Sequence, residues 1–65
     1  MIQFHLKVPI NLEQEIKLKA NSNFKIITAA RMISRPSYCL FVLEASEEEV
    51  TFLMLKYGKE NVWLR

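Results

Sequence analysis

The feature that most constrains the fold is an unbroken apolar run at residues 38–43, with the sequence YCLFVL. It is the longest such run in the chain, and both alternate sets of its side chains are apolar. A strand with one face in water alternates between apolar and polar residues, whereas a strand covered on both faces is apolar throughout. The run therefore predicts a central strand of a sheet.

Residues 24–33 predict the antiparallel neighbour of this strand, joined to it by a turn at residues 34–37. We centre the turn on Arg35 and Pro36, because proline favours turns and weakens strands. The resulting register places Ile33 opposite Tyr38, Arg31 opposite Leu40, Ala29 opposite Val42 and Ile27 opposite Glu44. The other face of the hairpin is more uniformly apolar and is assigned to the core. It holds Phe24, Ile26, Thr28, Ala30, Met32, Cys39, Phe41 and Leu43.

Two further strands are predicted at the ends of the chain. Residues 2–8 alternate between apolar and polar, which is typical of a strand with one covered face. Pro9 ends the strand because proline has no backbone N–H to donate to a neighbouring strand. Residues 61–65 form a short alternating segment. The inward side of the first strand holds Ile2, Phe4, Leu6 and Val8, and the outward side holds Gln3, His5 and Lys7.

The clearest local signal is a helix start at Ser46, which is followed by three glutamates. Ser46 and Glu49 have the spacing of a capping box, and carboxylates in the first turn favour the helix dipole. Gly58 predicts that this helix ends at a glycine in the left-handed backbone conformation. An apolar stripe at helical spacing is formed by Val50, Leu53, Met54 and Tyr57.

An earlier helix is favoured over a strand at residues 13–20, because good helix formers dominate the segment. Asn11 is the predicted N-cap with Gln14 completing a capping box, and residues 21–23 have turn chemistry. Leu12, Ile16 and Ala20 recur every four residues. The alternation at residues 15–19 also fits a strand, so the sequence leaves both interpretations open.

The order β-α-β-β-α-β predicts a single α+β domain over residues 1–65. Two right-handed crossovers and one hairpin give a ferredoxin-like two-layer sandwich, in which a four-stranded antiparallel sheet carries both helices on one face. The first and third strands then lie in the middle. This architecture supports many unrelated functions, so it does not identify an activity.

Composition gives little support to catalysis. The chain has 65 residues, 51% of them hydrophobic, with a net charge of +2, which is typical of a globular domain. The lone Cys39 excludes an internal disulfide, and His5 has no partner at zinc-site spacing. We therefore expect no enzyme activity, cofactor, metal or small-molecule substrate. No secretory signal or membrane-spanning stretch is visible, so we expect a cytoplasmic protein.

The sheet face away from the helices, called the open face below, is the predicted functional surface. Its apolar middle favours a protein interface, either a homodimer stacked sheet on sheet or another protein partner. The predicted interface residues are Ile27, Ala29, Arg31, Tyr38, Leu40, Val42 and Trp63.

The alternative is single-stranded nucleic acid, bound in the manner of RNA-recognition domains. Tyr38, Trp63 and His5 would then stack on bases, with further contacts from Lys7, Lys25, Arg31, Arg35 and Arg65. We favour the protein interface, because Leu40 and Val42 occupy positions where stacking rings are expected and the net charge is low.

Overall fold

The computed structural model describes residues 1–34 and 37–65, with the side chains at positions 21 and 22 outside that description. Single-turn 3₁₀ helices at Ile10–Leu12 and Lys59–Asn61 precede the first α-helix and the last strand. The main elements are β1 (Ile2–Pro9), α1 (Glu13–Asn23), β2 (Lys25–Arg31), β3 (Tyr38–Ala45), α2 (Glu47–Tyr57) and β4 (Val62–Leu64).

The four strands form one sheet in the order β2-β3-β1-β4, with every neighbouring pair antiparallel. This order confirms the predicted α+β ferredoxin-like sandwich. The apolar run at residues 38–43 lies in β3, between β1 and β2, as its two apolar faces indicate. Strands β2 and β4 are the edges of the sheet.

The core lies between one face of the sheet and both helices. Phe4 and Leu6 of β1 and Phe41 and Leu43 of β3 are fully buried. Helices α1 and α2 add Ile16, Val50 and Leu53, and β4 adds Val62. Burial of each large apolar side chain contributes about 1.5–3 kcal/mol, so this alternating set is the main source of stability.

Helix α2 follows its local sequence signals. The Ser46 Oγ accepts a hydrogen bond from the Glu49 N–H at 3.2 Å, which confirms the predicted cap. Gly58 ends the helix with φ 95° and ψ 141°, a positive φ that favours glycine but lies outside the left-handed helical region that was predicted. A Cβ at Gly58 would lie 2.7 Å from the Glu60 Oε1, but that atom ends a flexible side chain that can move aside, so the positive φ is the main reason for glycine here.

Residues 13–20 are helical, as favoured, but the predicted ends of α1 are wrong. Asn11 is not the cap, because it lies within the 3₁₀ turn, and α1 starts after Leu12 without a side-chain cap bond. The predicted turn at residues 21–23 is instead the last turn of the helix. Phe24 closes it by donating its N–H to the Ala20 carbonyl at 3.3 Å.

The predicted register of the β2–β3 hairpin is also wrong. Ile26 pairs with Leu43 and Thr28 pairs with Val42, so the register shifts by one residue and Ile27 is inserted as a β-bulge. The residues after the bulge therefore exchange faces. Ala29 and Arg31 lie opposite Phe41 and Cys39 on the helix side, and Thr28 and Ala30 take their places on the open face. The predicted turn centre at Arg35 and Pro36 lies outside the described residues.

Candidate functional site

One end of the open face is a polar row that runs from Lys25 of β2 across β3 and β1 to Arg65, the residue after β4. The Arg65 Nη1 donates to the Gln3 Oε1 at 3.1 Å, and the Arg65 N–H donates to the Gln3 carbonyl at 3.2 Å. The Gln3 Nε2 in turn donates to the Glu44 Oε2 at 3.5 Å, and Lys25 is the cross-strand partner of Glu44. The polar groups of this row are therefore partly paired with one another.

A stacked pair of rings lies beside the polar row. His5 and Trp63 are direct cross-strand partners, and their rings are nearly parallel, with centroids 5.2 Å apart and an interplanar angle of 7°. Trp63 remains 40% exposed, so one large ring is accessible at the β4 edge. Among the side chains that the structure describes, the His5 Nδ1 is buried without a hydrogen-bond partner. The stack, rather than hydrogen bonding at this atom, therefore holds the imidazole.

The other end of the open face is apolar apart from Lys7. The Lys7 Nζ lies 5.5 Å from the centroid of the Tyr38 ring, which places its charge over an aromatic face. Beyond Leu40, the surface opens into a shallow groove of about 450 Å³, called the hairpin groove below. It is lined by Ala30, Arg31, Met32, Ile33, Ser34 and Leu40. Ile33 is fully exposed beside this groove.

The structure brings together four of the seven predicted interface residues on the open face. Val42 is only 9% exposed, Tyr38 and Leu40 are half-buried, and Trp63 lies at the β4 edge. Neighbouring side chains thus already cover much of the apolar middle. Ile27 occupies the bulge and is 38% exposed. The predictions that placed Ala29 and Arg31 on this face are wrong because the bulge turns both toward the helix side.

Thr28 and Ala30, which occupy the open face in their place, were missed because no glycine or other local signal marks the bulge. Of the predicted nucleic-acid contacts, His5 and Lys7 lie on the open face, and Lys25 and Arg65 lie in its polar row. Arg35 lies outside the described residues.

The helix side of the sheet holds a cysteine with a suppressed tendency to ionise. Burial raises the pKa of the Cys39 thiol, and the adjacent Glu13 carboxylate adds to this effect, whereas Arg31 opposes it. A raised pKa disfavours the thiolate, the form that acts as a nucleophile. Cys39 therefore packs as a small apolar residue, as predicted from its place on the core face.

The glutamates at the start of α2 form no metal-ligand cluster. Glu47 and Glu48 line a shallow depression with Ser46 and Thr51, and the Thr51 Oγ1 donates to the Glu47 carbonyl at 3.1 Å. Across residues 1–34 and 37–65, no three histidine, cysteine or acidic side chains converge as metal ligands. The glutamates of α2 are accounted for by their position at the helix start, where the helix dipole favours negative charge.

Neither α1 nor α2, the two α-helices in the described part of the chain, is long and apolar enough to cross a bilayer. The open face, with its polar row, its ring stack and the hairpin groove, is the candidate functional site. Comparison of the chain with protein-family models, with curated proteins and with solved structures gives no match.

Proposed function

We propose that this protein is a non-catalytic interaction module, located in the cytoplasm, that binds another protein on its open face. The observation that carries the proposal is the division of this face into a polar end and an apolar end that continues into the hairpin groove. An apolar surface next to a hydrogen-bonded polar margin is the usual composition of a protein interface. Leu40 and Tyr38 would supply apolar contact, and Trp63 would anchor the opposite margin.

The charges on the open face indicate the chemistry of the partner. This surface carries three cations, Lys7, Lys25 and Arg65, whereas Glu44 is its one carboxylate among the described residues. Two such faces stacked directly would oppose like charges, which costs free energy at an interface. The surface is therefore better suited to a different protein that presents an apolar patch flanked by carboxylates than to sheet-on-sheet stacking of two copies.

A second candidate function is binding of single-stranded nucleic acid, and the His5–Trp63 stack is the observation in its favour. An accessible indole beside lysine and arginine can stack on a base while the cations meet phosphates. The register of β2 weakens this candidate, because Arg31 lies on the helix side. Leu40 and Val42 also occupy the two central positions of β3 on this face.

Site-specific photocrosslinking tests the two candidates. A photoreactive amino acid is placed at Leu40, and a matched control carries it at Gln14, an exposed position of α1. The proposal expects crosslinks to a different protein from position 40 that the control does not give. Crosslinks that map to His5 or Trp63 of a second copy would instead support sheet-on-sheet stacking, because these residues lie on the open face away from the β2 edge.

Crosslinks to nucleic acid would support the second candidate. In that case, Trp63→Ala should weaken binding by about 1–3 kcal/mol, and affinity should fall steeply with salt. Equal crosslinking from positions 40 and 14 would exclude the open face as a binding surface for any of these partners.

A further inference from the structure

The two edges of the sheet differ in their capacity to pair with another strand. Strand β4 has three residues, whereas β2 has seven, of which all but Ile26 are exposed. An edge strand presents unpaired N–H and C=O groups that can extend a sheet between molecules. Strand β2 is therefore the edge with enough length to form such a ladder.

The hydrogen-bonding pattern shows which residues of β2 point outward. The Met32 N–H donates to the Tyr38 carbonyl at 3.0 Å, so Met32 bonds toward β3. Residues of an antiparallel strand alternate in the direction of their backbone groups. Ala30 and Thr28 therefore also bond toward β3, while Ala29 and Arg31 direct their N–H and C=O groups away from the sheet.

We propose that two copies of the chain pair antiparallel through β2, with the twofold axis passing at Ala30. In this register, Ala29 of each copy exchanges backbone hydrogen bonds with Arg31 of the other copy. Ala30 then faces its own symmetry mate as a non-hydrogen-bonded pair, in which Cα atoms approach to about 4.5 Å. A methyl side chain is small enough for that separation, and Ala30 carries no charge that would repel its mate.

Charge and exposure select this register over its neighbours. An axis at Thr28 would require the ladder to continue through the bulge at Ile27, and an axis at Arg31 would place two arginines opposite each other, which is destabilising. An axis at Ala29 would place Arg31 opposite the apolar Ile27.

The axis at Ala30 instead brings Ile27 of one copy beside Ile33 of the other, which are 38% and 100% exposed in the monomer. The bulge at Ile27 interrupts the regular strand at that point, so the regular ladder is confined to the residues that follow it.

This pairing would also complete the hairpin groove. Ala30 and Met32 line the groove from the β2 side, which is the free edge of the sheet, and Leu40 lines it from β3. In the pair, Thr28 of the second copy lies across from Met32 and would add a wall on the β2 side. The two four-stranded sheets become one sheet of eight strands, and both open faces stay free for the partner proposed above.

A charge-swap experiment at position 30 tests the proposal. The wild type should be a dimer by sedimentation at high micromolar concentration. Ala30→Lys and Ala30→Glu should each weaken self-association by about fivefold or more, because like charges lie directly opposite. An equimolar mixture of the two variants should restore the dimer, since residue 30 meets residue 30 in this register. Gln14→Lys and Gln14→Glu, on the exposed surface of α1, are the matched controls and should dimerise as the wild type does.

Amide hydrogen exchange of the wild type gives a second readout that does not depend on any variant. The outward amides of Ala29 and Arg31 should exchange more slowly as concentration rises, while the amides of β4 should not change. A monomeric wild type, failure of folded Ala30→Lys and Ala30→Glu to recombine, or concentration-independent exchange at Ala29 and Arg31 would each overturn the proposal. Because photocrosslinking from Leu40 reports on the open face and these measurements report on the β2 edge, the two proposals can fail separately.

Discussion

The two helices have the same length but are specified in different ways. Helix α2 starts at the Ser46 cap and stops at Gly58, so residues at its own ends determine its limits. Helix α1 has eleven residues as well, but it lacks a side-chain cap and ends at Phe24 without a glycine. Its buried anchor is Ile16, which is fully covered by the core. A short helix without end signals depends on tertiary packing, and α1 is such a helix.

The helices also contact each other through one carboxylate. The Tyr57 hydroxyl donates to the Glu15 Oε2 at 3.1 Å, and the Lys19 and Lys56 Nζ atoms lie 3.7 and 3.9 Å from the Glu15 Oε1. Glu15 thus links α1 to the last turn of α2. These partly exposed ion pairs add little to stability, so the difference between the helices lies mainly in caps and core packing.

The largest expected loss of stability comes from truncating Ile16, the buried anchor of α1. Ile16→Ala should lower the free energy of unfolding by about 2–5 kcal/mol, because it leaves a cavity at a fully buried site. Denaturant titration followed by circular dichroism measures the change. Leu18→Ala in the same helix is the control, since Leu18 is 81% exposed and its truncation should change stability by no more than about 0.5 kcal/mol. Equal losses for the two variants would contradict a core anchor at Ile16.

A smaller effect compares the two helix starts directly. Ser46→Ala should cost about 1 kcal/mol, because the Glu49 N–H loses its acceptor. Asn11→Ala should change the free energy of unfolding by less than about 0.5 kcal/mol, because Asn11 lies within a 3₁₀ turn and does not cap α1. The same denaturant titration measures both. A cost at Asn11 as large as that at Ser46 would mean that α1 is capped after all.

The effect that is smallest at neutral pH concerns the link between the helices and grows with pH. Burial, with the Glu15 hydrogen bond and charge next, raises the pKa of Tyr57 to about 12. The folded state therefore keeps the phenol protonated at a pH where the unfolded chain has lost the proton. The resulting stabilisation is complete below the ordinary pKa of 10 and declines as pH rises from about 10 to 12.

Unfolding midpoints across that pH range test this prediction. The wild type should lose stability above pH 10 more steeply than Tyr57→Phe, which has no phenol to ionise. At neutral pH the variant should lose less than about 1 kcal/mol, because the pair is partly exposed. Parallel pH profiles for the two proteins would show that Tyr57 does not contribute to the decline.

Much of the fold follows from the sequence because its signals are local or periodic. The alternation of Phe4 and Leu6 gives the covered side of β1, the run at residues 38–43 gives the central strand, and Ser46 gives the start of α2. Each of these depends on a residue and its near neighbours. The order of elements then leaves few possible topologies, and the ferredoxin-like arrangement is among them.

The candidate site was harder to predict because it depends on which residues pair across strands. A single inserted residue, Ile27, moves Ala29 and Arg31 to the helix side, and nothing in the sequence around it distinguishes a bulge from a regular strand. Tyr38, Leu40, Val42 and Trp63 were placed correctly because β3 and β4 pair without such an insertion. The partial burial of Val42 also required the structure, since it depends on the neighbouring strands.

The bulge at Ile27 lets this small fold absorb a change in the length of an edge strand during evolution. Loss of that one codon would leave Ile26 opposite Leu43 and Thr28 opposite Val42, so the strand that follows would become regular and keep both of its faces. Thr28 and Ala30 would stay on the open face, and Arg31 would stay on the helix side. A single-residue deletion at this point would therefore remove the exposed Ile27 side chain without exchanging any other residue of the binding surface.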